Sequence, residues 1–158
     1  MKRSFRIGFS FGLTSGIITT LGLMVGLHSS TDSKFVVIGG ILTIAIADAF
    51  AESMGVHVAT ESEIKITKRE VWESTFYTFV CKFIFTSLFI IPVLIFTLHI
   101  AIILSILFGF YALVILTISI ARKRNIEPYK MIIEHVTIFA IVIILAHYAG
   151  KLIALTFS

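Results

Sequence analysis

The chain has 158 residues, of which 58% are hydrophobic and 14% charged, with a mean hydropathy of +1.04. A soluble domain carries about a quarter charged residues, so this composition excludes one and points to an integral membrane protein. The net charge of +4 does not indicate nucleic acid, because Lys and Arg sit in short clusters between apolar runs; the single cysteine, Cys81, excludes a disulfide framework and a cysteine-based metal cluster.

Apolar runs of the length a membrane-crossing helix needs, about 20 residues, predict five spans at about 6–28, 35–58, 76–97, 99–120 and 131–156. The first follows Met-Lys-Arg but is too long for a secretory signal and has no small-x-small cleavage site in a polar setting, so it is read as a span. Along it Gly8, Gly12, Ser15, Thr19, Gly22 and Gly26 recur every three or four residues and so share one side of the helix. Small residues let two backbones approach, and in lipid that approach drives helix association. The stripe serves either intrachain packing or a self-associating seam on a twofold axis, with Ser15 and Thr19 as its polar side chains.

The second span carries the chemistry. From Phe35 to Glu63 there is no proline, so one helix is predicted to run through, at about 43 Å longer than a roughly 30 Å hydrocarbon core, and to protrude by a few turns. Asp48 falls about two thirds of the way across and Glu52 near the edge. Asp48, Glu52, Gly55, Ala59 and Glu63 share a narrow arc, which reads as an open acidic groove. Met54, His57 and Glu61 occupy a second face. A charged Asp facing lipid costs about 3 kcal/mol or more, so such residues face a bundle interior or water. Carboxylates suit hard divalent cations, imidazole and thioether extend the range to later metals, and Asp and Glu also carry protons in coupled transporters. The plainer readings are a structural hydrogen bond between Asp48 and a Ser or Thr of a neighbouring helix, a solvated helix end for Glu61 and Glu63, core packing for Met54 and an interfacial place for His57.

In the third span, Lys82 is expected a turn or two inside, snorkelling to the surface marked by Trp72, Phe76 and Tyr77. "ESEIKITKREVWES" and "ARKRNIEPYK" read as connections, and Pro128 as the start of the last helix. Spans three and four form a close hairpin near His99. In the last span Glu134 either joins the ion mouth or sits at a helix N-terminus, where negative charge is favoured; His135, His147 and Tyr148 follow. With the N-terminus inside, ten Lys and Arg fall on the cytoplasmic side and only Lys34 and Lys151 on the other, which sets an N-in, C-out orientation. No phosphate loop, Ser/His/Asp set or zincin motif occurs and no nucleophile–base pair can be placed, so no enzyme is expected.

"SGIITTLGLMVG" (15–26) and "GGILTIAIADAFAESMGVHVATESE" (39–63) resemble the first two helices of the vacuolar iron transporter family, similar to "DGLVTTLGLVAG" and "GLANLIADGISMGVGEYLSTRAE" there. "FIIPVLIF" and "EHVTIFAIVIILAHYAGKLI" fit the rest of the pattern. The resemblance implies a five-span, dimeric, proton-coupled Fe²⁺/Mn²⁺ exporter whose metal path runs between the first helices at the dimer axis. Ser15 stands where the family has an Asp. The family's ligand methionine aligns with Met54 if "SMG" is matched, and with Glu52 in the preferred ungapped alignment. The Glu-rich cytoplasmic domain of many members is absent between spans two and three.

The expectation is therefore an all-α integral membrane protein, one transmembrane domain over 1–158, homodimeric through the first helix. It is multi-pass, in the cell membrane if prokaryotic, and moves Fe²⁺ or Mn²⁺ out of the cytoplasm against protons, with no prosthetic group. Asp48, Glu52, Met54, His57, Glu61 and Glu63 are the candidate metal residues, and Ser15, Thr19 and Glu134 the candidate path. The alternative is a non-transporting scaffold or subunit that keeps the fold.

Overall fold

A computed structural model describes residues 3–157. Its helices are α1 (Arg3–Thr31), α2 (Lys34–Glu61), α3 (Lys68–Leu88), α4 (Ile90–Ile95), α5 (Leu98–Arg124) and α6 (Pro128–Phe157). The short α4 continues α3, so five helical stretches are long and apolar enough to cross a membrane, the third being Lys68–Ile95. No strand occurs among the described residues.

The helix boundaries follow from local chemistry. Ser33 caps α2, its side chain accepting from the Val36 amide. Asp32 and Asn125, at φ 47° and 53°, hold the left-handed turns before α2 and after α5, the conformation Asp and Asn tolerate best among residues with a Cβ. Asn125 ends α5, Ile126 donating its amide to the Ala121 carbonyl, and Pro128 opens α6 at the first helical position, where no amide hydrogen is needed. Pro92 has no amide hydrogen to give the Leu88 carbonyl, and the third span breaks at Phe89. Lys34 Nζ, 3.1 Å from both the Leu94 and Phe96 carbonyl oxygens, satisfies the end of that broken helix.

One boundary departs from the hydropathy reading. The third span begins at Lys68, eight residues before the expected 76, because Thr67 and Glu70 form a reciprocal capping box that starts the helix inside the charged "TKREVWES" stretch. The connection from α2 shrinks accordingly, and α2 ends at Glu61, leaving Glu63 in the turn rather than on the helix.

The core is organised around α1. Half of its most apolar stretch is buried, against 11–39% for the other four spans. Gly8, Gly12 and Gly16 lie on α3: a Cβ on Gly8 would meet Tyr77 Cβ at 2.5 Å, and one on Gly12 would meet the Thr78 carbonyl oxygen at 2.8 Å. Further along, Gly22 and Gly26 face Val142 and Ala146 of α6. The glycines of the stripe are thus consumed within the chain, the packing reading rather than a seam left open on α1. Ile17, Leu21 and Met24 fill the remaining side of α1 against Val37, Ile41, Leu113 and Phe139.

Candidate ion site

Near the midpoints of α2 and the third span, the three helices α1, α2 and α3 bring together five polar side chains. Lys82 of α3 is fully buried. Its Nζ lies 2.5 Å from Asp48 Oδ2 and 2.6 Å from Glu52 Oε1, both on α2. It also lies 2.6 Å from Ser15 Oγ and 3.3 Å from Thr19 Oγ1, both on α1. Ser15 Oγ donates to the Glu52 carboxylate while accepting from Lys82, and Thr19 Oγ1 donates to the Ser15 carbonyl at 2.8 Å. An ammonium has three hydrogens and no lone pair. Two carboxylates and two hydroxyls therefore saturate it.

Lys82 is where the sequence reading fails. It does not snorkel. The capping box starts the helix early, so Lys82 stands near the centre of the span Lys68–Ile95, out of reach of either surface. Its side of α3 faces α1, where Gly12 and Gly16 let the α3 backbone at Lys82 approach closely enough for the side chain to reach Ser15 and Thr19. A buried ammonium persists only where paired charge and hydrogen bonds offset its lost hydration. The same contacts change the acids. Asp48 and Glu52 do not form an open acidic groove; a built-in cation bridges them. Their side chains keep 32% and 21% of their exposure, and their open flank adjoins the exposed α2 residues Ala47, Ala51 and Gly55.

The other candidate residues stand apart. Met54 is exposed on the outside of α2. His57 Nδ1 sits 3.0 Å from Thr75 Oγ1 and its ring packs edge-on against Trp72, so it faces α3 and not the two acids. Glu61 is exposed and its carboxylate reaches only 4.0 Å from His57 Nε2. Glu63, in the turn after α2, pairs with Arg3 Nη2 at 2.5 Å. Glu134 is exposed on α6, which packs on α1 and α5 and not on the acids' helix. No group of three or more His, Cys, Asp or Glu side chains placed to hold a metal ion occurs among the described residues.

The opposite end of the bundle carries a second set of imidazoles. His28 Nδ1 lies 2.9 Å from Asp32 Oδ1, the His28 and His99 rings are 6.0 Å apart, and Ser29 Oγ lies 2.7 Å from His147 Nδ1. Compared with known protein families and with curated proteins, the chain matches none.

The missed partner had a visible signal. Ser74, Thr78, Lys82 and Thr86 recur every fourth residue along the third span, and all four are buried in the structure. A polar stripe of that period on an apolar helix marks an interior face. Gly8, Gly12 and Gly16 offer the same period on the helix it packs against.

Proposed function

We propose that the chain is a proton-coupled carrier of divalent cations, with Fe²⁺ or Mn²⁺ as its cargo, in which Asp48 and Glu52 alternate between the Lys82 ammonium and the metal. The observation that carries this reading is the Lys82 bridge: one cation already rests between two carboxylates near the middle of the membrane span. With all three groups ionised the cluster carries one negative charge. A divalent ion between the same carboxylates makes it neutral only if Lys82 gives up its proton, because an ammonium and a divalent ion repel strongly in a dehydrated site. Metal entry then releases one proton to water, and metal exit takes one back. Ser15 and Thr19 hold the uncharged amine through the hydroxyls that now bind the ammonium.

In this reading the end bearing Arg3, Arg6, Lys123 and Arg124 faces the cytoplasm, because ten Lys and Arg cluster there against two at the other end. Two copies associate across the exposed face of α2 rather than α1, whose glycines are already covered. Gly39, Thr43, Ala47, Ala51, Gly55 and Ala59 recur there every fourth residue, all exposed, a pattern that favours close helix pairing in lipid.

The test is Mn²⁺-driven proton flux in proteoliposomes. Asp48→Asn and Glu52→Gln are each expected to abolish it, and Lys82→Met to uncouple metal movement from proton movement. Wild-type coupled flux in all three variants sinks the proposal. The second reading, a scaffold that does not transport, is favoured by one observation: Lys82 already pairs with both acids, and the described residues offer no further acid or imidazole beside them. An anomalous-scattering map from crystals soaked in millimolar Mn²⁺ separates the two, since a scaffold leaves no peak between Asp48 and Glu52.

A further inference from the structure

A groove of about 910 Å³ runs between α1 and α5 at the basic end of the bundle, away from the ion site. Four cations surround its mouth, Arg3 and Arg6 from α1 and Lys123 and Arg124 from α5, with one acid, Glu63. Glu63 is already paired with Arg3. Arg6, Lys123 and Arg124 have no acid partner among the described residues, the last two lying in the final turn of α5, whose carbonyl end favours cations without neutralising them. Behind the mouth the walls turn apolar: Ile7 and Leu13 on one side, Ala112, Leu116 and Ile120 on the other. From Lys123 back to Ala112 the wall runs about 16 Å along α5, close to one leaflet of a roughly 30 Å hydrocarbon core.

We propose that this groove binds an anionic phospholipid, its phosphate among Arg6, Lys123 and Arg124 and one acyl chain lying between α1 and α5 along Leu13, Leu116 and Ala112. Charge complementarity selects the headgroup, since basic pockets between transmembrane helices suit anionic lipid phosphates. The apolar wall selects a lipid over a free anion, which has no use for a leaflet-long furrow. A second copy of the chain fits poorly, because a twofold contact sets the same patch on both subunits and brings these cations against their own copies. The inference is independent of the ion site and stands or falls without it.

Native mass spectrometry of the detergent-purified protein offered equal amounts of phosphatidylglycerol and phosphatidylcholine tests it. The wild type is expected to retain phosphatidylglycerol in preference. Arg6→Gln/Lys123→Gln/Arg124→Gln is expected to weaken that binding roughly a hundredfold, from the usual contribution of three basic residues near a lipid headgroup, and to leave phosphatidylcholine unchanged. Lys65→Gln/Lys68→Gln/Arg69→Gln, at the same end but outside the groove, keeps the preference. Ala112→Trp obstructs the wall without touching a charge and is expected to reduce retention of phosphatidylglycerol. Four results overturn the proposal: equal retention of both lipids by the wild type, equal loss in the Lys65 control, wild-type retention in Ala112→Trp, or displacement of the lipid by free glycerol phosphate. Dissociation of a dimer in the groove triple variant with lipid binding intact assigns the groove to a second copy instead.

Discussion

Lys82 Nζ and Asp48 Oδ2 stand 2.5 Å apart, joining α3 to α2 near the middle of the membrane span. Three ionisable residues placed there each cost about 3 kcal/mol by insertion into a helix centre, more than a purely structural contact requires. An apolar pair of similar volume would hold the two helices together at least as well. On the proposed reading the triad is a site as well as a support, and the two roles separate experimentally.

Removing one member of a buried ion pair strands its partner. Lys82→Met leaves Asp48 and Glu52 side by side without a cation and is expected to cost about 3–5 kcal/mol of stability. Adding Asp48→Asn and Glu52→Gln to that variant is expected to recover most of the loss, since no buried charge is then unpaired. Denaturant titration of the single and triple variants in detergent measures both. A triple variant no more stable than Lys82→Met alone contradicts the pairing geometry.

If Lys82 and the metal compete for the same oxygens, removing the ammonium favours the metal. Lys82→Gln is expected to bind Mn²⁺ about tenfold more tightly than the wild type, a difference of about 1.4 kcal/mol. The readout is the rise in melting temperature with Mn²⁺ concentration, because a ligand that binds only the folded state stabilises it by mass action. Mg²⁺ at the same ionic strength controls for screening. Equal Mn²⁺ dependence in wild type and variant removes Lys82 from the competition.

How far the fold was legible depends on which signal each feature used. The number of spans was written in hydropathy, and Pro128 and the charged turns marked their ends. The start of the third span was not, because a capping box can begin a helix in charged sequence that hydropathy assigns to a loop. That single error placed Lys82 near a surface and left Asp48 and Glu52 without their partner. Asp48, Glu52, Ser15 and Thr19 were legible as intramembrane polar residues. Their convergence was not, because it depends on rotations of α1, α2 and α3 that only the glycine contacts decide. Met54, His57 and Glu63 share Asp48's helix or its end in sequence, yet they point to other surfaces.

The early start of α3 has its own test. Thr67 accepts from the Glu70 amide, and Glu70 Oε2 accepts from the Thr67 amide at 3.0 Å. Thr67→Ala is expected to cost about 1 kcal/mol, the usual loss of an N-cap. Were the helix to begin near residue 76, the same substitution would fall in a solvated loop and leave the melting temperature unchanged.

Gly12 decides whether the α1 stripe serves the chain itself. A Cβ there would lie 2.8 Å from the Thr78 carbonyl oxygen and 3.0 Å from the Lys82 amide nitrogen, both backbone atoms that move only with the helix. Gly12→Val is expected to destabilise the isolated chain by several kcal/mol, as overpacking against backbone does, and to disturb the ion site through Lys82. A seam between subunits predicts a different outcome, a stable monomer that no longer associates. Melting temperature and size-exclusion mass, read together on one sample, distinguish the two.

The face left open on α2 makes the converse prediction. Ala51 is exposed, flanked at intervals of four by Ala47 and Gly55, and beside Glu52. Small residues at that spacing let two copies cross closely, at about −40° in the right-handed geometry. In a Cys81→Ser background, Ala51→Cys is expected to form a disulfide-linked dimer in native membranes under mild oxidation. Leu145→Cys, exposed on the peripheral helix α6, is expected to remain monomeric on the same gel. Cross-linking at Leu145 and not at Ala51 would place the partner on α6 and overturn the α2 interface.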